Sequence, residues 1–204
     1  MSTPTAHLFG GLNIGILVTD GFEQIEMTAP LKAMEEVGAI IKILSDRAGK
    51  VQGFHHDQPG DAFDVHLSFD KARADDFDAL LLPGGVVNAD TIRLNPDAQR
   101  LVKNVDKEGK PIGVICHGAW LLVSADLVKG RTLTSWPTLE DDVKNVGGQW
   151  VDKEVVVDGN WVSSRKPDDL PAFNNSFKQV LGQRVKQSVK GTADDASTAA
   201  GTGG

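Results

Sequence analysis

Cysteine is nearly absent from this chain: Cys116 is the single one among 204 residues. One thiol excludes an internal disulfide and a multi-thiolate zinc site. Also lacking is any apolar run near the ~20 residues that a membrane helix needs, so no membrane partner is expected. Met1–Gly11 has neither the basic region nor the apolar core of a secretory signal, and the expected compartment is the cytoplasm. Positive charge is short, with 21 Lys and Arg against 28 Asp and Glu for a net charge of −7. That balance argues against nucleic acid or an anionic membrane as the main partner. Histidine is sparse too: His7, His55, His56, His66 and His117, with none downstream of His117. His55 and His56 are adjacent and lack a third ligand, so they read as an exposed loop; no metal and no organic cofactor is expected.

What the chain does carry is an ordinary globular composition, 40% hydrophobic and 24% charged, enough for a core without staples. Short apolar runs alternate with helical patterns. Asn13–Thr19, Ile40–Ser45, Asp78–Leu82 and Pro111–Ile115 read as strands, the last two buried on both faces. Arg131–Ser135 reads as a further short strand, and Glu154–Val157 with Asn160–Ser164 as a hairpin across Asp158-Gly159. Glu23–Val37 reads as a helix interrupted by Pro30. Pro96–Glu108 is amphipathic, with Asn95 as its cap and Gly109 as its stop. Thr138–Val146 and Asp168–Leu181 complete the helices. Val51–Leu67 reads as an extended excursion turning at Gly53 and at Pro59-Gly60. Strands alternating with helices give a mainly parallel sheet covered on both faces, an α/β fold. Residues 1–12 read as a polar lead, 13–186 as one domain, and 187–204 as a flexible low-complexity tail.

The chemistry centres on Lys110–Leu122, where a buried strand meets an apolar helix at Cys116-His117-Gly118. Ligands bind at the carboxyl ends of strands in an open α/β sheet. A thiol there also feels the free N–H groups of the following helix, which favour thiolate. Gly118 removes a side chain at the tightest point. The pattern is a nucleophile elbow with cysteine as nucleophile. With no histidine downstream, an α/β-hydrolase-type triad and a class I glutamine amidotransferase are both excluded, and His117 is the base beside the thiol. Glu23 and Glu26 follow the first strand and share the same sheet edge. A carboxyl at that depth would be desolvated and able to donate a hydrogen bond to the sulfur. Pro83-Gly84-Gly85 closes the third strand there, with amides free to form an oxyanion hole.

Phe22–Glu26, Leu82-Pro83-Gly84-Gly85, Ile115-Cys116-His117-Gly118, Gly130-Arg131 and Glu154–Arg165 together resemble the ThiJ/PfpI superfamily, most closely its PfpI-type intracellular protease and general-stress branch. The resemblance spans about Asn13–Gly182. It implies a flavodoxin-like three-layer α/β/α sandwich and a nucleophilic Cys116. It implies that Glu23 hydrogen-bonds the sulfur and that the Gly85 and His117 amides hold an oxyanion. It further implies that Asp90, supplied by a neighbouring copy in a homodimer or larger homo-oligomer, completes the His117 site. Where close relatives carry His after Ser-Ser-Arg, this chain has Lys166. The implied activity is cysteine-dependent stress protection on a small reactive carbonyl or a glycated group, of glyoxalase or deglycase type. A PfpI-type peptidase is the first alternative. A redox sensor or chaperone working through Cys116 oxidation is the second.

Overall fold

Short, uninterrupted apolar runs buried on both faces build the centre of the molecule. The computed structural model describes the backbone of residues 9–199 and the side chains of residues 9–185. The first half of the chain forms β1 (Asn13–Leu17), β2 (Phe22–Glu23), α1 (Gln24–Glu35), β3 (Ile40–Ser45), β4 (Gly49–His55), β5 (Gln58–Val65), β6 (Leu67–Ser68) and β7 (Ala79–Leu82). The second half forms α2 (Val86–Ile92), α3 (Pro96–Lys107), β8 (Ile112–Ile115), α4 (Ala119–Ser124), β9 (Thr132–Leu133), α5 (Glu140–Asn145), β10 (Gln149–Trp150), β11 (Val155–Asp158), β12 (Trp161–Ser164) and α6 (Leu170–Ala199). Seven strands make the main sheet in the order β11-β12-β8-β7-β1-β3-β6, parallel except for β11 against β12.

Successive side chains of a strand point to opposite faces, and both faces of this sheet are buried. Leu80, Leu82, Ile112 and Val114 pack with Leu101, Val102 and Val105 of α3 and with α4 on one side. Ala79, Leu81, Ile115 and Val162 pack with Met27 and Met34 of α1 and Phe173 and Phe177 of α6 on the other. The result is the sheet covered on both faces that the alternating pattern predicts, in the flavodoxin-like α/β/α sandwich that the resemblance implies. Asn95 caps α3 as expected, its side chain accepting from the Asp97 and Ala98 amides at 3.0 Å each.

Several boundaries differ from the sequence-based expectation. The excursion after β3 is a hairpin, β4–β5, whose turn is His56-Asp57 with His56 at φ 59° rather than Pro59-Gly60. Pro59 lies inside β5, whose position at the edge of a small sheet tolerates a missing donor. Phe22 and Glu23 are extended and pair with β4, so α1 begins one residue later than Glu23. Helix α2 and strand β10 had no sequence signature. Phe9, within the stretch read as a polar lead, is 3% exposed and packs in the core on the α1–α6 side; residues 1–8 lie outside the described residues. The backbone of α6 continues through 187–199, where the composition reads as a flexible tail; residues 200–204 lie outside the described residues. Because β1, β7 and β8 are parallel neighbours, their carboxyl ends open on one edge, and the site is built there.

Candidate active site

Strand β8 ends at Ile115, and the next residue breaks the extended path: Cys116 takes φ 60°, the left-handed region. A non-glycine residue there costs about 1 kcal/mol or more, and the surroundings impose it. The Cys116 carbonyl accepts the Trp136 amide at 3.2 Å. Residues Cys116–Gly118 form a single 3₁₀ turn leading directly into α4. Gly118 lies under the end of β7, where a Cβ would come within 2.4 Å of the Leu82 carbonyl oxygen. Gly84 meets the site from the other side; a Cβ there would fall 2.6 Å from Glu26 Oε2 and 2.7 Å from Cys116 Cβ. Any larger residue at Gly84 would occupy the space in which carboxyl and thiol meet.

The backbone N–H groups of His117 and Gly85 face the Cys116 sulfur and favour its thiolate. His117 Nδ1 lies 3.3 Å from Sγ. The imidazole stacks on Trp136, with centroids 5.7 Å apart, and meets the edge of Trp120 at 5.5 Å. Burial lowers its pKa, so the ring stays neutral and can accept a proton from sulfur. No carboxylate of the described residues hydrogen-bonds it. Glu26, 1% exposed on the first turn of α1, presents its carboxyl to the thiol. Its Oε2 accepts the Gly84 amide at 2.8 Å, and its Oε1 is buried without a hydrogen-bond partner. Burial pushes the Glu26 carboxyl up to about 8, against the pull of the Gly84 N–H, with Glu23 adding a smaller upward push. Burial, and then the Glu26 charge, likewise push the Cys116 thiol up, while the His117 and Gly85 amides pull it down. The thiol therefore does not have the lowered pKa expected of a helix N-terminus. A single 3₁₀ turn and a six-residue helix give a weak dipole, and desolvation outweighs it. Protonation of Glu26 removes the charge that opposes thiolate and supplies an O–H to receive it.

A cavity of about 540 Å³ opens onto this centre, walled by Phe54, Val86, Val87, Trp136 and Pro167. A family model described as DJ-1/PfpI matches residues 13–179. The chain belongs to the DJ-1/PfpI family. Over 170 residues it is 45% identical to a deglycase of Thermococcus kodakarensis, covering 83% of this chain and 99% of that one. Over 172 residues it is 41% identical to the protein/nucleic acid deglycase 2 of Escherichia coli, covering 83% and 97%. Among solved structures, a two-domain Anabaena variabilis protein with DJ-1/ThiJ/PfpI-like and ferritin-like domains superposes with a TM-score of 0.79 at 30% identity, covering 84% of this chain and 48% of that one. A ThiJ/PfpI domain protein of Brachyspira murdochii superposes at 0.78 and 24% identity, covering 85% and 98%.

Within this DJ-1/PfpI fold, Cys116, His117, Gly84, Gly85 and Gly118 converge as the sequence predicts. The carboxyl at the sulfur, however, is Glu26 and not Glu23. Glu23 lies on β2, outside the helix, and its Oε2 accepts the His56 amide at 3.0 Å at the cavity mouth. Asp90 is exposed on α2 and is not part of the cavity wall within one chain. His55 and His56 are exposed, but His55 is the last residue of β4 and only His56 lies in the turn; the described residues hold no cluster of three or more metal-ligating side chains. Lys166 is half-buried and pairs with Asp168 at 3.0 Å.

Three contributors escaped the sequence reading. Asn88, fully buried in α2, accepts the Thr19 amide at 2.7 Å and donates to the Pro83 and Gly84 carbonyls at 3.1 and 2.9 Å. It thereby fixes the turn that aims Gly85. Gln24 and Asp61 exchange two 2.7 Å bonds that clamp the β4–β5 hairpin to α1. Trp136 forms the face against which His117 rests. Its one sequence signal was an aromatic next to Pro137.

Proposed function

We propose that the chain is a cysteine-dependent enzyme of the deglycase or glyoxalase type, acting on small reactive carbonyls or glycated groups. The reading is carried by one observation: the Cys116 sulfur sits between two backbone N–H donors and a buried carboxyl that stays protonated to about pH 8. The Cys116 sulfur attacks the carbonyl carbon, and the thiol proton passes to His117 Nδ1, 3.3 Å away. The C=O π pair moves to oxygen, where the His117 and Gly85 amides stabilise the developing charge. His117 returns the proton to that oxygen, giving a neutral hemithioacetal. With a 2-oxoaldehyde, removal of the former aldehyde hydrogen as a proton and its return at the adjacent carbon isomerise the adduct to a thioester. His117, neutral again after that return, is the base placed to move the proton, with Glu26 beside it in its acid form as hydrogen-bond donor. Water then releases the 2-hydroxy acid and regenerates the thiol. The carboxyl role expected of Glu23 thus passes to Glu26.

The likeness to relatives named deglycases, at 41–45% identity over most of both chains, supports this reading. One of those names includes nucleic acid, so the net charge of −7 bears on stable binding to a polyanion and does not exclude glycated nucleotides as substrates. The sensor alternative needs a low-pKa thiolate, which burial of Cys116 opposes. The peptidase alternative needs His117 to be oriented for leaving-group protonation. We assign that orienting role to Asp90 of a second copy of this chain.

Turnover of methylglyoxal to lactate by reduced protein tests the proposal. Cys116→Ala abolishes it, and Glu26→Gln lowers kcat by about 10²-fold or more. Cleavage of a fluorogenic peptide that needs Cys116, without carbonyl turnover, overturns it in favour of the peptidase.

A further inference from the structure

At the mouth of the Cys116 cavity the carboxylates are Glu23 on β2, 3.6 Å from His56 Nδ1, and Asp57 at the tip of the β4–β5 hairpin. Glu26, deepest, is held in its acid form. No lysine or arginine among the described residues lines the cavity, and its two imidazoles are His56 and His117. The cations next in sequence are engaged elsewhere: Arg165 bonds both Asp169 and Asp152, and Lys166 bonds Asp168. Between the carboxyl groups the wall is apolar, with Phe54, Val86, Val87, Trp136 and Pro167. Low-dielectric walls of this kind focus a field instead of screening it. Glu23 is held in place: its side chain is 13% exposed, and Oε2 accepts the His56 amide at 3.0 Å. Glu26, deeper in the same wall, is turned to the Cys116 sulfur and leaves the mouth to Glu23 and Asp57.

We propose that Glu23 and Asp57 make the cavity mouth a charge filter. Uncharged and cationic carbonyl compounds, including adducts on amines and guanidines, reach Cys116; carboxylate-bearing ones such as 2-oxo acids are turned away. The substrate class rests on the reading of Cys116 as a carbonyl nucleophile. The filter itself is a property of the cavity and can be measured without turnover.

Because Cys116 is the single cysteine, every thiol modification of the full chain reports on this cavity. The probes are methanethiosulfonates bearing a trimethylammonium, a sulfonate or no charge. In each, the Cys116 thiolate displaces methanesulfinate and forms a mixed disulfide, with its proton released to solvent. Rates are normalised to those of free cysteine. The cation-to-anion ratio is expected to exceed unity by about tenfold at low salt. It should shrink in 0.5 M salt, chiefly through exposed Asp57. Glu23→Gln and Asp57→Asn should each lower it about threefold, and the double variant further. A normalised ratio within twofold of free cysteine overturns the filter, as does a ratio unmoved by the double variant. Turnover of methylglyoxal against 4,5-dioxopentanoate, 2-oxoaldehydes of which only the second carries a carboxylate, separates the two readings. Dioxopentanoate processed as fast as methylglyoxal sinks the filter and leaves the carbonyl enzyme standing. A charge-selective thiol with no carbonyl turnover sinks the enzyme reading and leaves the filter.

Discussion

Glu26 is a carboxyl held in its acid form by burial, and that has a consequence for stability. Its folded-state pKa of about 8 lies above the ordinary 4.5. Between those values the folded chain keeps a proton that the unfolded chain has lost. The stabilising contribution is therefore complete below pH 4.5 and falls as pH rises, until it is gone above pH 8. Wild type should lose about 1.4 kcal/mol per pH unit relative to Glu26→Gln across that window. Chemical denaturation of both proteins at pH 5, 6.5 and 8 measures it; parallel stability curves would show that Glu26 is ionised in the folded state. The same residue marks the limit of what the sequence discloses. Had the helix begun at residue 23, Glu23 would stand four residues before buried Met27 and share its face. The chain is instead extended at Phe22–Glu23 to pair with β4, so the helical period starts at Gln24 and brings Glu26 inward. That pairing joins residues about thirty positions apart, which no local pattern records. Cys116, by contrast, was legible because its strand, its glycine and its helix are contiguous.

Among the elements, α2 does most to shape the site while being the least visible in sequence. It starts at Gly85 without a side-chain cap, and it opens on two exposed valines. Neither signals a helix. Its one buried polar side chain, Asn88, ties α2 to Thr19 after β1 and to the Pro83-Gly84 turn after β7. Asn88→Ala leaves the Thr19 amide and two carbonyls buried without these partners. Each such group costs about 1–3 kcal/mol, so a loss of at least about 3 kcal/mol in urea denaturation is expected. Since Gly85 follows the released turn, methylglyoxal turnover should fall further than the unfolded fraction accounts for. Full activity in the folded fraction would mean that Gly85 is aimed by something other than Asn88. The strands β1, β7 and β8, whose continuous apolar runs are buried on both faces, needed no such tertiary information.

At the scale of the whole molecule, one surface is left apolar around an acidic residue. Val86, Val87 and Leu94 are 54%, 61% and 77% exposed, and with Asp90 they follow helical spacing along and just beyond α2. Such a patch beside a cavity mouth is suited to a second copy of the chain, and His117 has no carboxylate partner among the described residues of its own chain. If a neighbouring copy contributes Asp90, then Asp90→Asn and Cys116→Ala are each inactive alone but complement when mixed. A mixed pair joins the intact Cys116 of one subunit to the intact Asp90 of the other. For a dimer, random pairing puts half the molecules in mixed pairs with one of two sites restored, about a quarter of wild-type activity. The experiment is unfolding and refolding of an equimolar mixture, with light scattering to fix the assembly size. Recovery near a quarter places the orienting carboxylate across an interface. An Asp90→Asn protein as active as wild type removes Asp90 from the site. Loss without complementation, in an assembly shown to be mixed, confines its action to its own chain.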